Sequence, residues 1–200
     1  MSSLHCAARV LVARHGEAEY ETDLCSDDGG SLTPLGRKQA RELGASLQGE
    51  RVARVWSSPL SRAVQTAEIV AGVLGVDVVV REGLREYGVG ALARTMEHEK
   101  GYFEGVFRRW VAGDADAAIE GGERIDDVAG RVQAVLEEVA DEHRGEAVLV
   151  VSHGGAILAT LPQLAGLPRS RGVGVSLPNC GVIGLEADAD GWRITRWDGA

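Results

Sequence analysis

Cysteine is scarce in this 200-residue chain, and the three that occur are unmatched. Cys6, Cys25 and Cys180 are scattered and form no C-x-x-C pair, so neither a disulfide framework nor a zinc ribbon is readable. Long apolar runs are missing too. The longest, Ala147 to Val151, is strand-sized, well short of the ~20 residues of a membrane span. The opening MSSLHCAARV carries no charged segment followed by an apolar stretch of about 7–15 residues, so no secretory leader is read. A cytoplasmic protein is the expectation. Positive charge is in deficit: 21 Lys and Arg face 30 Asp and Glu, for a net charge of -9. That excludes a general role on nucleic acid or on an anionic membrane, both of which need a positive surface. Any phosphate-bearing partner must be met by a local cluster of Arg or His. Repeats, low-complexity segments and linkers are absent, so the expectation is one domain over 1–200.

What the chain does contain is ordinary for a globular protein, 44% hydrophobic and 26% charged residues, with one excess. Its 27 Gly are about twice the usual ~7% share, which suggests tight turns or backbone held close to a ligand. Ala8 to Ala13 is a short apolar run read as a buried strand. Thr33-Pro34 reads as cap and first residue of a helix with Ala40, Leu43 and Leu47 on one face. Val52–Trp56 is a second strand, Ser61 a cap for a helix bearing Val64, Ala67, Ala71 and Leu74, and Val76–Val80 a third strand. Phe103, Phe107 and Trp110 suggest a helix that Gly101, Gly105 and Gly113 weaken, and these aromatics are read as core. Ile125, Val128, Val132, Val135 and Val139 mark the cleanest helix. Ala147–Val151 is a fourth strand, and Ile157–Leu161 opens a helix that Pro162 must kink or end. Val173–Leu177, Gly181–Glu186 and Trp192–Trp197 read as three short strands, the last two joined at 188–191. Strands alternating with helices predict an α/β sandwich around a mostly parallel sheet, with 91–142 as a helical excursion over one end.

In such sheets ligands sit beyond the carboxyl ends of strands. Two strands end alike, in Arg14-His15-Gly16 and in Ser152-His153-Gly154-Gly155, each His beside a Gly that lets the backbone turn and approach a ligand. Either His alone is as well explained as a polar strand cap; both together point to a site. Arg62 falls in the first turn of a helix, an unfavourable place for a cation unless an anion sits there too. Glu86, after the third strand, can reach the same edge, though by position alone it is one of many surface acids. Other catalytic patterns fail: there is no G-x-x-x-x-G-K-[ST] and no G-x-S-x-G, and Cys-x5-Arg finds Ser31 where it needs Arg.

Five ordered blocks resemble the histidine phosphatase superfamily, which includes the cofactor-dependent phosphoglycerate mutases: L-V-A-R-H-G-E at 11–17, S-S-P-L-S-R-A-V-Q-T-A at 57–67, L-R-E-Y-G at 84–88, G-G-E at 121–123 and S-H-G-G from 152. Leu32–Ala40 and the late Asn179-Cys180 are similar as well. The resemblance implies a phosphoglycerate mutase-like three-layer sandwich with the 91–142 excursion covering the active site. It implies His15 as nucleophile, carrying a phosphohistidine, with Arg14, Arg62 and His153 around the phosphoryl oxygens and Glu86 as acid and base. It implies no metal and no cofactor. Gly16 and Gly154 would bring backbone to the phosphoryl group, and Glu21, Tyr87 and Arg94 would line the mouth. The expected partner is a small-molecule phosphate ester, and a homodimer is compatible with the family.

The chain departs from the family's frequent R-H-G-E-T-x-W-N, placing Ala18, Tyr20 and Glu21 at the last Thr, Trp and Asn. Arg124 stands where Ser commonly follows G-G-E, and the frequent W-E-G after the acid is missing. Six acids fall between Glu17 and Asp28. They oppose a doubly phosphorylated ligand, so a phosphomonoesterase is favoured over a mutase-type phosphotransferase. A catalytically silent phosphate-binding protein is the third reading, opposed by the presence of both His, both Arg and a candidate acid.

Overall fold

A computed structural model describes residues 6–96, 100–172 and 177–198. β1 (Ala8–Arg14) runs down the middle of a six-stranded sheet because its side chains are buried on both faces. Thr33 caps α1 (Pro34–Ser46) through Gly36 N–H, with Pro34 at the first helical position as its fixed φ favours. β2 (Ala18–Glu19) and β3 (Ser31–Leu32) pair as a small ribbon before it. β4 (Val52–Ser57), α2 (Ser61–Leu74) and β5 (Val78–Val80) follow, then α3 (Lys100–Val111), α4 (Ile125–Glu142), β6 (Ala147–Ser152), α5 (Gly154–Leu164), β7 (Val182–Asp188) and β8 (Gly191–Trp197).

The strand order is β5-β4-β6-β1-β7-β8. The first four are parallel, and β7 and β8 add an antiparallel hairpin at one edge. Alternation sends Val10, Val12, Val148 and Val150 to one face, under α4 and α5. Leu11, Ala13, Leu149 and Val151 go to the other, under α1 and α2. The mostly parallel α/β sandwich expected from the sequence is the observed fold. Among the described residues no helix is long and apolar enough to cross a membrane.

Several boundaries moved for physical reasons. Ser61 is the first helical residue of α2, not its cap; the cap position is Leu60, whose N–H reaches Ser58 Oγ, while Ser61 Oγ accepts from Gln65. β5 begins at Val78 rather than Val76, because Val76 N–H closes the C-terminus of α2 on Ala71 O. α5 begins three residues before Ile157, and Pro162 lies inside it with the helix ending two residues later. α3 forms despite Gly101 and Gly105, held by buried Val106 and Trp110, whose Nε1 donates to Ala117 O at 2.6 Å. Of the three terminal strands, the hairpin of the last two is observed; residues 173–176 and the Phe103 side chain lie outside the described residues.

Candidate active site

β1 and β6 are neighbours in register, Arg14 beside Ser152, so both strands deliver their histidines to one edge. His15 N–H bonds Ser152 O at 3.0 Å, and the His15 and His153 ring centroids lie 5.2 Å apart. β4, on the far side of β6, brings in α2 and with it Arg62. The order of strands thus joins three segments separated by more than 45 residues of chain.

His15 is 8% exposed and its Nδ1 lies 2.7 Å from Gly16 O. A carbonyl can only accept, so Nδ1 carries the proton and the lone pair of the neutral ring is on Nε2. Burial, with smaller contributions from the Arg62 and Arg14 cations, lowers the His15 pKa to about 4, against the opposing Gly16 bond. The ring is therefore neutral at physiological pH. His153 is fully buried with Nε2 at 2.8 Å from Ser58 Oγ, and burial first, then Arg62, holds it well below the ordinary histidine range. Arg14 anchors Nη1 on Leu177 O at 2.8 Å and Arg62 anchors Nη1 on Gly29 O at 2.9 Å. Arg14 Nε, Arg62 Nε and His153 Nδ1 are buried with no hydrogen-bond partner. Buried polar nitrogens are rarely left so, and three of them on side chains brought to one edge form a set of positions suited to an oxyanion.

Glu86 reaches the same edge by a route the sequence does not display. Both carboxyl oxygens cap α5, Oε2 accepting from Gly155 N–H at 3.0 Å and Oε1 from Ala156 at 2.7 Å and Tyr87 at 3.2 Å. Burial pushes its pKa up and outweighs these three donors and Arg62, which act the other way. A carboxyl has about four lone-pair sites, so one remains for a proton after three N–H bonds. The remote cap explains why α5 starts at Gly154, where two glycines would otherwise disfavour a helix. Gly155 is required there: a Cβ would run into the Tyr87 ring and stand 2.8 Å from Glu86 Oε1.

Arg131 on α4 secures this loop. It is paired to Glu123 at 2.6 and 2.9 Å and donates to the carbonyls of Gly83 (2.9 Å), Arg85 (2.6 Å) and Glu86 (3.2 Å). Nothing local in the sequence marks Arg131, whose partners are over 40 positions away except Glu123. Ser58 and Thr66 also lay unread. Thr66 was findable as the residue one helical turn beyond Arg62; its Oγ1 accepts from Gly16 N–H at 3.0 Å and donates to Arg62 O. That bond takes the Gly16 N–H away from any ligand, and Gly16 is glycine because a Cβ would meet Gly36 O at 2.7 Å. Asn179 Nδ2 holds the His15 carbonyl at 3.0 Å.

A cavity of about 830 Å³ opens onto this cluster. Arg14, His15, Arg62, Glu86, Tyr87 and Gly154 line it. His153 lies beneath, and Gly16, Glu21 and Arg94 are not among the lining residues: Glu21 is exposed, and Arg94 is exposed at φ 66°, its N–H on Cys25 O. Phe107, read as core, packs against the core and also lines the cavity.

The model of the histidine phosphatase superfamily (branch 1) matches residues 10–199. The probable phosphoglycerate mutase GpmB of Salmonella choleraesuis is 30% identical over 192 residues, covering 94% of this chain and 89% of its own. Among solved structures, a mycobacterial glucosyl-3-phosphoglycerate phosphatase superposes with TM-score 0.78 at 27% identity, over 97% of this chain and all of its own. Bacillus stearothermophilus YhfR does so with TM-score 0.81 at 27% identity, over 96% and 97%.

Proposed function

The chain belongs to the histidine phosphatase superfamily, branch 1, and on that premise we propose that His15 is the nucleophile of a phosphomonoesterase acting through a phosphohistidine. One observation carries the assignment: a buried neutral imidazole, its Nε2 lone pair free, stands among two guanidiniums and a second imidazole with unpartnered nitrogens. Phosphoryl transfer asks chiefly for positioning and fixed positive charge, and this cluster supplies both without a metal.

In the first step His15 Nε2 attacks phosphorus, the P–O bond to the leaving group breaks, and protonated Glu86 gives its proton to the departing oxygen. In the second, Glu86 as carboxylate takes a proton from water, the water oxygen attacks phosphorus, and the P–N bond breaks. Arg14 and Arg62 balance the phosphoryl charge throughout, and the N-terminus of α5 adds its dipole. The GpmB likeness favours a mutase as second reading, but return transfer needs a place for a second anion. Glu17 and Asp27, from the acidic segment, line the cavity where it would lie.

The test is p-nitrophenyl phosphate turnover, with acid-quenched protein assayed for acid-labile labelled phosphate on histidine. Wild type should release phosphate and carry the label; His15→Ala should do neither while keeping its circular dichroism. Turnover by purified His15→Ala would remove the assignment. Isomerised phosphoglycerate without net phosphate release would select the mutase.

A further inference from the structure

We propose that the leaving group accommodated beside the phosphoryl cluster is an uncharged, apolar alcohol, not a second acid. The proposal rests on the phosphomonoesterase reading and names its substrate class. At about 830 Å³ the cavity is far larger than a phosphoryl group needs, within the ~300–1,000 Å³ range of pockets that enclose whole small molecules. Beyond Arg14 and Arg62 its wall carries an apolar set, Leu24, Tyr87, Val89, Phe107, Leu158 and Leu177, beside the acids Glu17, Asp27 and Glu104. Tyr87 and Phe107 stack with centroids 6.2 Å apart and planes 13° from parallel. Tyr87 is in turn braced edge-on by fully buried Trp110 at 4.8 Å, so this aromatic surface is fixed in place before any ligand arrives. A rigid apolar wall favours apolar ligand surface in proportion to the area removed from water.

Charge argues the same way. Among the described residues that line the cavity, Arg108 is the only Lys or Arg outside the Arg14–Arg62 pair. Its side chain is 74% exposed and lies 4.0 Å from Glu104, one turn earlier on α3. Glu17, Asp27 and Glu104 also line the space, and a carboxylate on the leaving group would meet their repulsion with little to offset it. Glu17 Oε1 already accepts from Thr33 Oγ1 at 2.8 Å, and Asp27 Oδ1 from Val89 N–H at 2.6 Å. The ligands named for the relatives, phosphoglycerate and glucosyl-3-phosphoglycerate, are acidic esters; this wall is built for another kind.

Hexyl phosphate, glycerol phosphate and phosphoglycerate separate the possibilities. Hexanol is no better a leaving group than glycerol, so a preference for its ester reports binding to the wall. Hexyl phosphate should exceed both others in kcat/KM by about tenfold or more, since even one methylene in an apolar pocket is worth about that factor. Phe107→Ala should then lower kcat/KM for hexyl phosphate about tenfold more than for glycerol phosphate. That ratio does not depend on how much of the variant folds. Phosphoglycerate turned over as well as hexyl phosphate, or equal losses on both esters in Phe107→Ala, would overturn the leaving-group assignment while leaving the phosphatase intact. No turnover of any ester, p-nitrophenyl phosphate included, would instead remove the phosphomonoesterase reading.

Discussion

At His15 and Glu86, burial pushes two ionisable groups toward the protonation states the first step needs. It lowers the imidazole pKa to about 4, leaving a neutral ring, and raises that of Glu86, which favours the protonated carboxyl. The sign of the pH dependence follows. With the proposed roles, activity needs His15 deprotonated and Glu86 protonated, so kcat/KM should climb through about pH 4 and fall as pH passes the raised Glu86 value. Glu86→Gln should abolish the falling limb and keep the rising one, when both enzymes are compared on one substrate so that its own ionisation cancels. The same variant should slow an alkyl phosphate about 10²–10⁴-fold, the usual worth of general acid help, and p-nitrophenyl phosphate much less, because nitrophenolate leaves unaided. Equal losses on both esters, or an unchanged falling limb, would make Glu86 structural. Residue identities at this scale were readable because His15 and His153 each end an apolar run beside glycine. The role of Glu86 was not readable from position, because its partners Gly155 and Ala156 lie about 70 positions away.

Helix starts show how local and remote signals divide. For α1 the cap, Thr33, and the first residue, Pro34, are adjacent in the chain, and the start is legible. For α5 the capping carboxylate comes from the loop after β5, so the sequence shows only two glycines and the start is misplaced by three residues. That loop is in turn held by Arg131 of α4. Arg131 contacts the backbone on either side of the Glu86 side chain, so on the proposed mechanism it is a positioning residue. Arg131→Leu should therefore lower kcat for an alkyl phosphate, of order 10²-fold for a displacement near 1 Å, with KM little changed. Turnover of p-nitrophenyl phosphate should suffer less, and Arg131→Lys should recover part of the loss. A uniform drop on both esters tracking the loss of folded protein would show that Arg131 serves stability only.

Over the whole molecule, a chain of net charge -9 brings two arginines with buried Nε atoms to one sheet edge. Anion binding there should be visible as stability. Inorganic phosphate at about 100 times its Kd would add roughly 2.7 kcal/mol to the folded state, which for a domain of this size raises Tm by about 5–10 °C. Vanadate should act likewise and compete with substrate. Arg62→Met should lose the Tm response to phosphate, since Arg62 is 4% exposed and its buried Nε has no hydrogen-bond partner. A shift that persists in Arg62→Met would place the anion elsewhere.

The alternation of buried strands with amphipathic helices, the two strand-end histidines and the ordered motif blocks are properties of short segments, and the sequence by itself determined them. They rest on periodicity and adjacency, which act over a few residues. The tertiary structure alone decided what depends on strand order. Placing β6 between β1 and β4 brings Arg14, His15, Arg62 and His153 together. The Thr66 bond then withdraws the Gly16 N–H from the ligand, and Phe107, packed on the core, also forms cavity wall beside Tyr87. Such contacts join residues dozens of positions apart, and no local pattern encodes a partner at that distance.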